Sequence, residues 1–298
     1  MAGIAAGVAA SSGDALGQTP TCFGAAARDP DRLCSNAAQR HSVTPTPQEA
    51  RELPNSPCRP LERRPSVCGF GARAGAVTVA LVGDSHVGHW RAAVDHVAQV
   101  KGWRGLSITH SSCPLQKALR DLPEPRRTSC ARWKEDVFAW FARHPEVSTV
   151  FVGGLTGFSG VVPRGGRSRF ETSVKGYADA WRALPPTVSR IVVIRDTPKV
   201  RGDTDVCVTR AVTRRRPPGT ACAVPKSIAL ERDPAMTAAA RLDSPRVARV
   251  DLTRFFCGAH CYPVVGGVLV LRDSTHMTGA FSGTLGPYLL DELASTGL

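Results

Sequence analysis

AVTVALVGDSH, residues 76–86, decides the fold class of this 298-residue chain. Its first eight residues are apolar or β-branched apart from the terminal glycine, which is typical of a strand buried in a parallel sheet. Residues 87–101 follow with apolar side chains at helical spacing, namely Val87, Trp90, Val94 and Val97. The sequence therefore predicts a strand, a tight turn and a helix, with Ser85 at the carboxyl end of the strand.

Ser85 is the first candidate for a reacting group. Reacting groups gather at the carboxyl ends of parallel strands, and the Ser85 backbone N–H would lie at a helix N-terminus, ready for a developing oxyanion. Gly83 relaxes the tight turn. The competing interpretation is that Asp84 or Ser85 only caps the helix.

Asp273 and His276 can supply the base that a serine hydroxyl needs. They stand in Arg272-Asp273-Ser274-Thr275-His276, at the entrance to the last predicted helix. At this spacing the carboxylate can hold Nδ1–H of the histidine while Nε2 faces the serine. Taken alone, this motif is weak evidence, because an aspartate before a helix can also be a helix cap and a histidine there can also be a surface residue. Together with Ser85 they predict a Ser-His-Asp triad.

Strands and helices alternate through the rest of the chain. The predicted strands are residues 76–83, 105–110, 148–153, 190–196 and 246–252, and the predicted helices are 87–101, 131–143, 170–184, 225–242 and 279–295. A loop joins 196 to 225, and a short ribbon is predicted at 266–271. This alternation predicts an α/β fold in which helices cover both faces of a five-stranded parallel sheet.

The chain divides into three parts by composition. Residues 1–16 are expected to be a flexible or membrane-proximal tail, since they lack the charged start of a signal peptide. Residues 17–75, rich in Pro, Arg, Ala and Cys, are expected to form an irregular collar held by disulfides. Residues 76–298 would be the catalytic domain.

Ten cysteines fall in close pairs along the sequence: Cys22 and Cys34, Cys58 and Cys68, Cys113 and Cys130, Cys207 and Cys222, Cys257 and Cys261. Sequence does not determine connectivity, so nearest-neighbour pairing is a hypothesis. Metal binding is the rival interpretation, but no CxxC pair occurs. Disulfides favour an oxidising compartment, and hence an extracytoplasmic protein.

The formal net charge is +13, and only six of the 38 basic residues are lysine. Such a surface can attract acidic polymers, although arginine-rich composition alone explains it. No zinc-finger or RNA-recognition pattern supports nucleic acid as a partner. No stretch approaches the ~20 apolar residues that span a bilayer.

Several motifs together resemble a known family. Gly83-Asp84-Ser85-His86 with His89-Trp90 looks like the first block of SGNH (GDSL-like) enzymes, and Asp273-Ser274-Thr275-His276-Met277-Thr278 looks like the closing block. The closer resemblance is to extracytoplasmic SGNH domains of acyltransferase family 3 membrane proteins, of the actinobacterial type. It rests on further matches at Cys22–Ala26, Ser112-Cys113-Pro114, Cys130 with Trp133, and Arg195-Asp196-Thr197-Pro198.

The resemblance implies a flavodoxin-like three-layer α/β/α sandwich, the SGNH fold. It also implies serine-dependent O-acyl transfer without a cofactor or metal. An acyl group, often acetyl, would pass from a donor to Ser85 and then to a saccharide hydroxyl. The partner would be a fused or associated multispanning acyltransferase domain, so the chain would be tethered at the cell surface. A secreted carbohydrate esterase and an inactive glycan-binding module remain alternatives.

The oxyanion hole departs from the family pattern. SGNH enzymes usually donate from a glycine and an asparagine, but here Gly153-Gly154-Leu155-Thr156 follows the third strand without an asparagine. The candidate donors are therefore the backbone N–H groups of Ser85, Ser112 and Gly154.

The other conspicuous histidines, arginines and tryptophans are expected to have structural rather than catalytic roles. His86 and His89 have no evident third metal ligand and are read as packed or capping residues. Arg214–Arg216 are read as a solvated loop tip. The tryptophans at 133, 140 and 181 have helical core spacing.

Overall fold

The computed structural model describes residues 22–32, 34–54, 58, 60–157 and 160–298. The predicted tail at 1–16 and the first residues of the collar lie outside the described residues. Within them, the chain forms a central sheet with helices on both faces. The prediction of an α/β sandwich is confirmed.

The strands are β1 Pro60–Arg63, β2 Ser66–Gly71, β3 Val77–Gly83, β4 Trp103–Thr109, β5 Val147–Val152, β6 Arg190–Ile194, β7 Val224–Pro225, β8 Val247–Val250, β9 His260–Cys261, β10 Val264–Val265 and β11 Val268–Leu269. In the described residues, seven strands form the main sheet in the order β1-β2-β4-β3-β5-β6-β8. β4, β3, β5, β6 and β8 are parallel, as predicted.

The helices are α1 Pro47–Glu52, α2 Ser85–Gly88, α3 Arg91–Val100, α4 Arg126–Arg143, α5 Arg169–Arg182, α6 Thr204–Thr213, α7 Pro218–Ala221, α8 Lys226–Ala229, α9 Pro234–Leu242, α10 Gly279–Thr284 and α11 Gly286–Ser295. α3, α10 and α11 pack on one face of the sheet, and α4, α5 and α9 pack on the other. This gives the three layers of the sandwich.

β3 is buried because helices cover both of its faces. Val79 and Leu81 belong to the core on the α3 side, whereas Ala80 and Val82 belong to the core on the α4 side. Side chains of a strand alternate between its faces, so a strand with two covered faces is apolar throughout. The same strand carries Ser85 just beyond its carboxyl end.

The collar is more regular than its composition indicates. β1 and β2 form a hairpin, and β2 pairs antiparallel with β4, so the collar adds two strands to the five predicted. The expected loop at 197–224 contains α6 and α7. The expected helix at 225–242 is interrupted, because Pro234 occupies the first turn of α9 and the Asp233 side chain caps it. The last helix is likewise divided, at Leu285 between α10 and α11.

All ten cysteines form disulfides, and nearest-neighbour pairing is confirmed: Cys22–Cys34, Cys58–Cys68, Cys113–Cys130, Cys207–Cys222 and Cys257–Cys261. In the chain-entropy view, a bridge that closes a loop of this size contributes about 3 kcal/mol, less for the shortest. Cys58 and Cys68 both belong to the collar, and because Cys68 lies on β2, their bridge ties the segment before β1 to a strand of the main sheet. No helix in the described part of the chain has the length and apolarity that a bilayer crossing requires.

Candidate active site

Ser85 lies where the sequence predicts, at the first residue of α2 directly beyond β3. The Asp84 side chain caps this helix and accepts a hydrogen bond from the His86 backbone N–H at 2.9 Å. Gly83 fits the turn because its φ is 154° and a Cβ there would approach Val87 Cγ2 to 2.7 Å. The two interpretations of the turn are therefore compatible, since Asp84 caps the helix and leaves the Ser85 hydroxyl available.

Ser85, His276 and Asp273 form a continuous hydrogen-bonded chain. Ser85 Oγ lies 2.9 Å from His276 Nε2, and His276 Nδ1 lies 2.8 Å from Asp273 Oδ2. Asp273 Oδ1 also accepts from the backbone N–H groups of His276 and Thr275, at 2.7 and 2.9 Å. With Nδ1–H donated to the carboxylate, the lone pair of Nε2 faces the serine hydroxyl.

The environment keeps Asp273 ionised. Partial burial raises the pKa of Asp273, but hydrogen bonds from the His276 ring, the His276 backbone and Thr275 lower it by more. The net effect holds the pKa of this carboxyl well below its usual range. Asp273 can therefore stabilise a positive charge on the neighbouring imidazole across the working pH range.

The site is open to solvent. The side chains of His276 and Asp273 are 30% and 47% exposed, and Ser85 is half-buried. The three side chains are therefore accessible from solvent to different degrees, Asp273 the most.

Two of the three candidate oxyanion donors, Ser112 and Gly154, lie in loops that follow β4 and β5, the two neighbours of β3. Gly83 pairs with Thr109 of β4, so Ser112 lies at the same sheet edge as Ser85. Ser112 has a φ of 60°, and its carbonyl accepts from Arg120 Nε at 3.1 Å. The Ser85 N–H, in the first turn of α2, has no intrahelical acceptor.

Gly154 follows β5 and packs tightly beside the nucleophile turn. The next residue, Leu155, donates its backbone N–H to Asp84 Oδ2 at 3.0 Å. A Cβ on Gly154 would approach Tyr177 Oη to 2.5 Å and Pro114 Cβ to 2.8 Å. Only glycine fits without displacing these neighbours, so the loop after β5 stays close to Asp84.

Beneath the site lies a buried cluster that sequence reasoning missed. His86 Nδ1 lies 2.7 Å from Asp196 Oδ1, and Asp196 follows β6. Asp196 supplies a carboxylate near His86 and His89 that the sequence did not indicate, because the ends of β3 and β6 meet at one sheet edge. The only sequence signal for Asp196 is its position at the carboxyl end of the predicted strand 190–196.

Possible ligand atoms of His86, His89 and Asp196 lie within 4.8 Å of one another, the spacing of a metal site. However, Asp196 already accepts four hydrogen bonds, from His86 Nδ1, Thr197 N, Thr156 N and Thr156 Oγ1. His89 Nδ1 accepts from the Met277 N–H. The Asp196 carboxylate and His89 Nδ1 are thus engaged in hydrogen bonds, whereas Nε2 of His86 and Nε2 of His89 are buried without a hydrogen-bond partner in the described residues. Burial, together with His86 and His276, lowers the pKa of His89 well below its usual value.

The other groups lie away from this chemistry. Arg214, Arg215 and Arg216 are exposed after α6, within the loop closed by Cys207 and Cys222. The three tryptophans at helical spacing are buried in the core on the α4 side.

Residues 54–291 match the family described as "SGNH domain (fused to AT3 domains)". No curated protein is detectably similar in sequence. Among solved structures, the lipopolysaccharide acetyltransferase periplasmic domain of Salmonella ser. Paratyphi A is similar, with a TM-score of 0.57 and 14% identity over 74% of this chain and 85% of that one. At that identity the likeness shows the fold. Because the family match spans most of the chain, the protein belongs to the SGNH domains that occur fused to AT3 domains.

Proposed function

We propose that this chain is an O-acyltransferase domain that moves an acyl group, acetyl in the simplest case, through Ser85 to a hydroxyl of a cell-surface glycan or glycolipid. The observation that carries the proposal is the chain of hydrogen bonds from Ser85 Oγ through His276 to Asp273. Membership of a family fused to AT3 domains supports acyl transfer as the reaction class.

In the first step, Ser85 Oγ attacks the carbonyl carbon of the donor while His276 Nε2 takes the hydroxyl proton. Asp273 stabilises the imidazolium that forms. The tetrahedral intermediate collapses, and the bond from the acyl carbon to the donor breaks as His276 returns the proton to the leaving group. The acyl group is then an ester of Ser85.

In the second step, His276 takes the proton of the acceptor hydroxyl as its oxygen attacks the acyl-serine. The bond to Ser85 Oγ breaks, and the serine recovers its proton from His276. In both steps the oxyanion would be stabilised by backbone N–H groups, and Ser85, Gly154 and Ser112 are the proposed donors.

The donor side of the reaction belongs to the proposal as well. We place the chain outside the cytoplasm, where an associated or fused multispanning acyltransferase domain presents the acyl group. Five disulfides support an oxidising compartment. The similar solved structure is described as the periplasmic domain of a lipopolysaccharide acetyltransferase.

The second candidate is a secreted carbohydrate esterase with the same three residues. The solvent exposure of His276 and Asp273 favours it, because water has access to the site. The two functions differ only in the acceptor, so product analysis with a soluble saccharide separates them. Acyl-saccharide supports transfer, and free acid alone supports hydrolysis.

The test of the serine chemistry uses para-nitrophenyl acetate and the purified chain. We expect hydrolysis and a single acetyl adduct on the peptide that contains Ser85, with kcat lowered at least about 10³-fold in Ser85→Ala. Ser274→Ala is the matched control, because this exposed serine lies in the loop of His276. Full activity in Ser85→Ala, or no turnover and no adduct in the wild type, would overturn the proposal.

A further inference from the structure

Asp196 connects more of the site than any residue of the proposed triad does. It follows β6, two strands away from β3, and is only 6% exposed. Oδ1 accepts from His86 Nδ1 at 2.7 Å and from Thr197 N at 2.9 Å. Oδ2 accepts from Thr156 N at 2.7 Å and from Thr156 Oγ1 at 3.0 Å. A buried carboxylate with four donors is strongly held in one orientation.

Two of these partners belong to the turns that flank the nucleophile. His86 is the residue after Ser85, and Thr156 lies two residues beyond Gly154 in the loop that we propose donates to the oxyanion. One carboxylate therefore fixes the spacing between the nucleophile turn and that loop.

The third partner leads to the loop of the proposed base. Thr197 donates its hydroxyl to the Thr275 carbonyl at 3.2 Å, and Thr275 precedes His276. The Val200 N–H also donates to the Ser274 carbonyl at 3.0 Å. The segment after β6 thus holds the loop that carries His276.

A direct contact completes the connection. The His86 ring, held by Asp196, packs against the His276 ring with centroids 4.7 Å apart and planes inclined by 49°. Burial lowers the pKa of His86, but the charge and hydrogen bond of Asp196, together with the charges of Asp84 and Asp273, raise this pKa overall. The hydrogen bond to Asp196 therefore holds the His86 ring in place where it packs against the imidazole of His276.

We propose that Asp196 is a positioning residue for acyl transfer, which aligns the nucleophile turn, the oxyanion loop and the His276 loop through His86, Thr156 and Thr197. This inference rests on the proposed function. Its expected size follows from geometry, since a displacement of about 1 Å in a reacting site costs on the order of 10²-fold in rate.

The test begins with Asp196→Asn, which keeps the shape but presents an amide donor to groups that already donate. We expect kcat for para-nitrophenyl acetate to fall about 10²-fold with KM changed less than about threefold. Labelling of Ser85 by a fluorophosphonate should slow by a similar factor. Asp251→Asn controls for the loss of a carboxylate at a strand end, since Asp251 is exposed after β8. Val193→Ala controls for lost stability, because Val193 is buried in β6 itself.

Thr197 keeps the inference testable if Asp196→Asn does not fold. Thr197→Val removes the hydroxyl that bonds to Thr275, and Thr197→Ser restores it. We expect about a tenfold loss of kcat in Thr197→Val, which corresponds to one hydrogen bond, and less than about a twofold change in Thr197→Ser.

The outcomes distinguish a failure of the proposed function from a failure of the positioning role of Asp196. If labelling is unaffected by Ser85→Ala, the proposed function fails. If labelling depends on Ser85 but is equally fast in folded Asp196→Asn and wild type, only the positioning role fails. Equal kcat in Thr197→Val and Thr197→Ser would also overturn that role. So would one tightly bound metal ion per chain that disappears in Asp196→Asn, because Asp196 would then act as a ligand.

Discussion

Asp273 contacts His276 twice, since Oδ2 lies 2.8 Å from Nδ1 of the ring and Oδ1 accepts the backbone N–H at 2.7 Å. The two contacts fix both the tautomer and the direction of the imidazole. If Nδ1–H is donated to Asp273, the lone pair of Nε2 faces Ser85, as the proposed general base catalysis requires.

Asp273→Asn tests this relationship. The asparagine amide can donate to Nδ1 and stabilise the wrong tautomer, so we expect kcat for para-nitrophenyl acetate to fall about 10³–10⁴-fold. KM and the melting temperature should change little, because Asp273 is half exposed. Asp251→Asn is the control. A loss of less than about tenfold would remove Asp273 from the proposed triad.

Gly154→Ala tests the loop after β5. The new Cβ would meet Tyr177 Oη at 2.5 Å, which forces the loop away from Asp84. We expect kcat to fall about 10²-fold through displaced oxyanion donors. In Gly154→Ala with Tyr177→Phe the nearest clashing atom is gone, so part of the activity should return, whereas Tyr177→Phe alone should remain active. Activity unchanged in the single Gly154→Ala variant would contradict a role for this loop.

Acid titration should reveal the buried carboxyl of Asp233. Burial raises the pKa of Asp233 to about 6, against hydrogen bonds from the backbone of Asp196, Met236 and Ala235. The folded state thus binds this proton more tightly than the unfolded state, so the contribution to stability is largest at low pH and is lost as pH rises through 6.

Asp233→Asn supplies the non-titrating reference for this effect. From about pH 7 to about pH 4, the free energy of unfolding of the wild type should rise by roughly 2–3 kcal/mol relative to the variant. Urea unfolding at several pH values measures it. Asp136→Asn, at an exposed position on α4, should run parallel to the wild type. A difference that stays constant with pH would contradict the raised pKa.

Much of the fold was predictable, because a parallel sheet covered on both faces leaves a strong sequence signal. The apolar run that became β3 and the helical spacing of α4 and α5 both reflect burial on the sheet. The place of Ser85 was predictable for a related reason, since parallel strands deliver their carboxyl ends to one edge. Asp273 and His276 follow the separate β10–β11 ribbon, and their meeting with Ser85 was predictable from their spacing and from the resemblance to SGNH enzymes.

The parts that were missed depend on contacts rather than on local pattern. β1 contains Glu62 and Arg63 and has no apolar period, so it is a strand only because it pairs with β2. α6 contains Cys207 and so overlaps the segment that the Cys207 and Cys222 pair led us to expect as a disulfide loop. The cluster around Asp196 joins three segments far apart in sequence, and no spacing rule links them. By contrast, Asp233-Pro234 is a local helix-start signal that sequence reasoning overlooked.

The β1–β2 hairpin has a consequence for how the domain can be handled. It covers β4, whose unpaired backbone groups would otherwise be available to another chain. β1 itself is a poor template for such pairing, since it is short, begins with Pro60, carries charged side chains and has an irregular register. A truncated protein that starts at residue 72 would keep every proposed catalytic group, but it would turn β4 into an exposed edge strand. Such a fragment should aggregate, so recombinant versions of the domain must begin upstream of the hairpin.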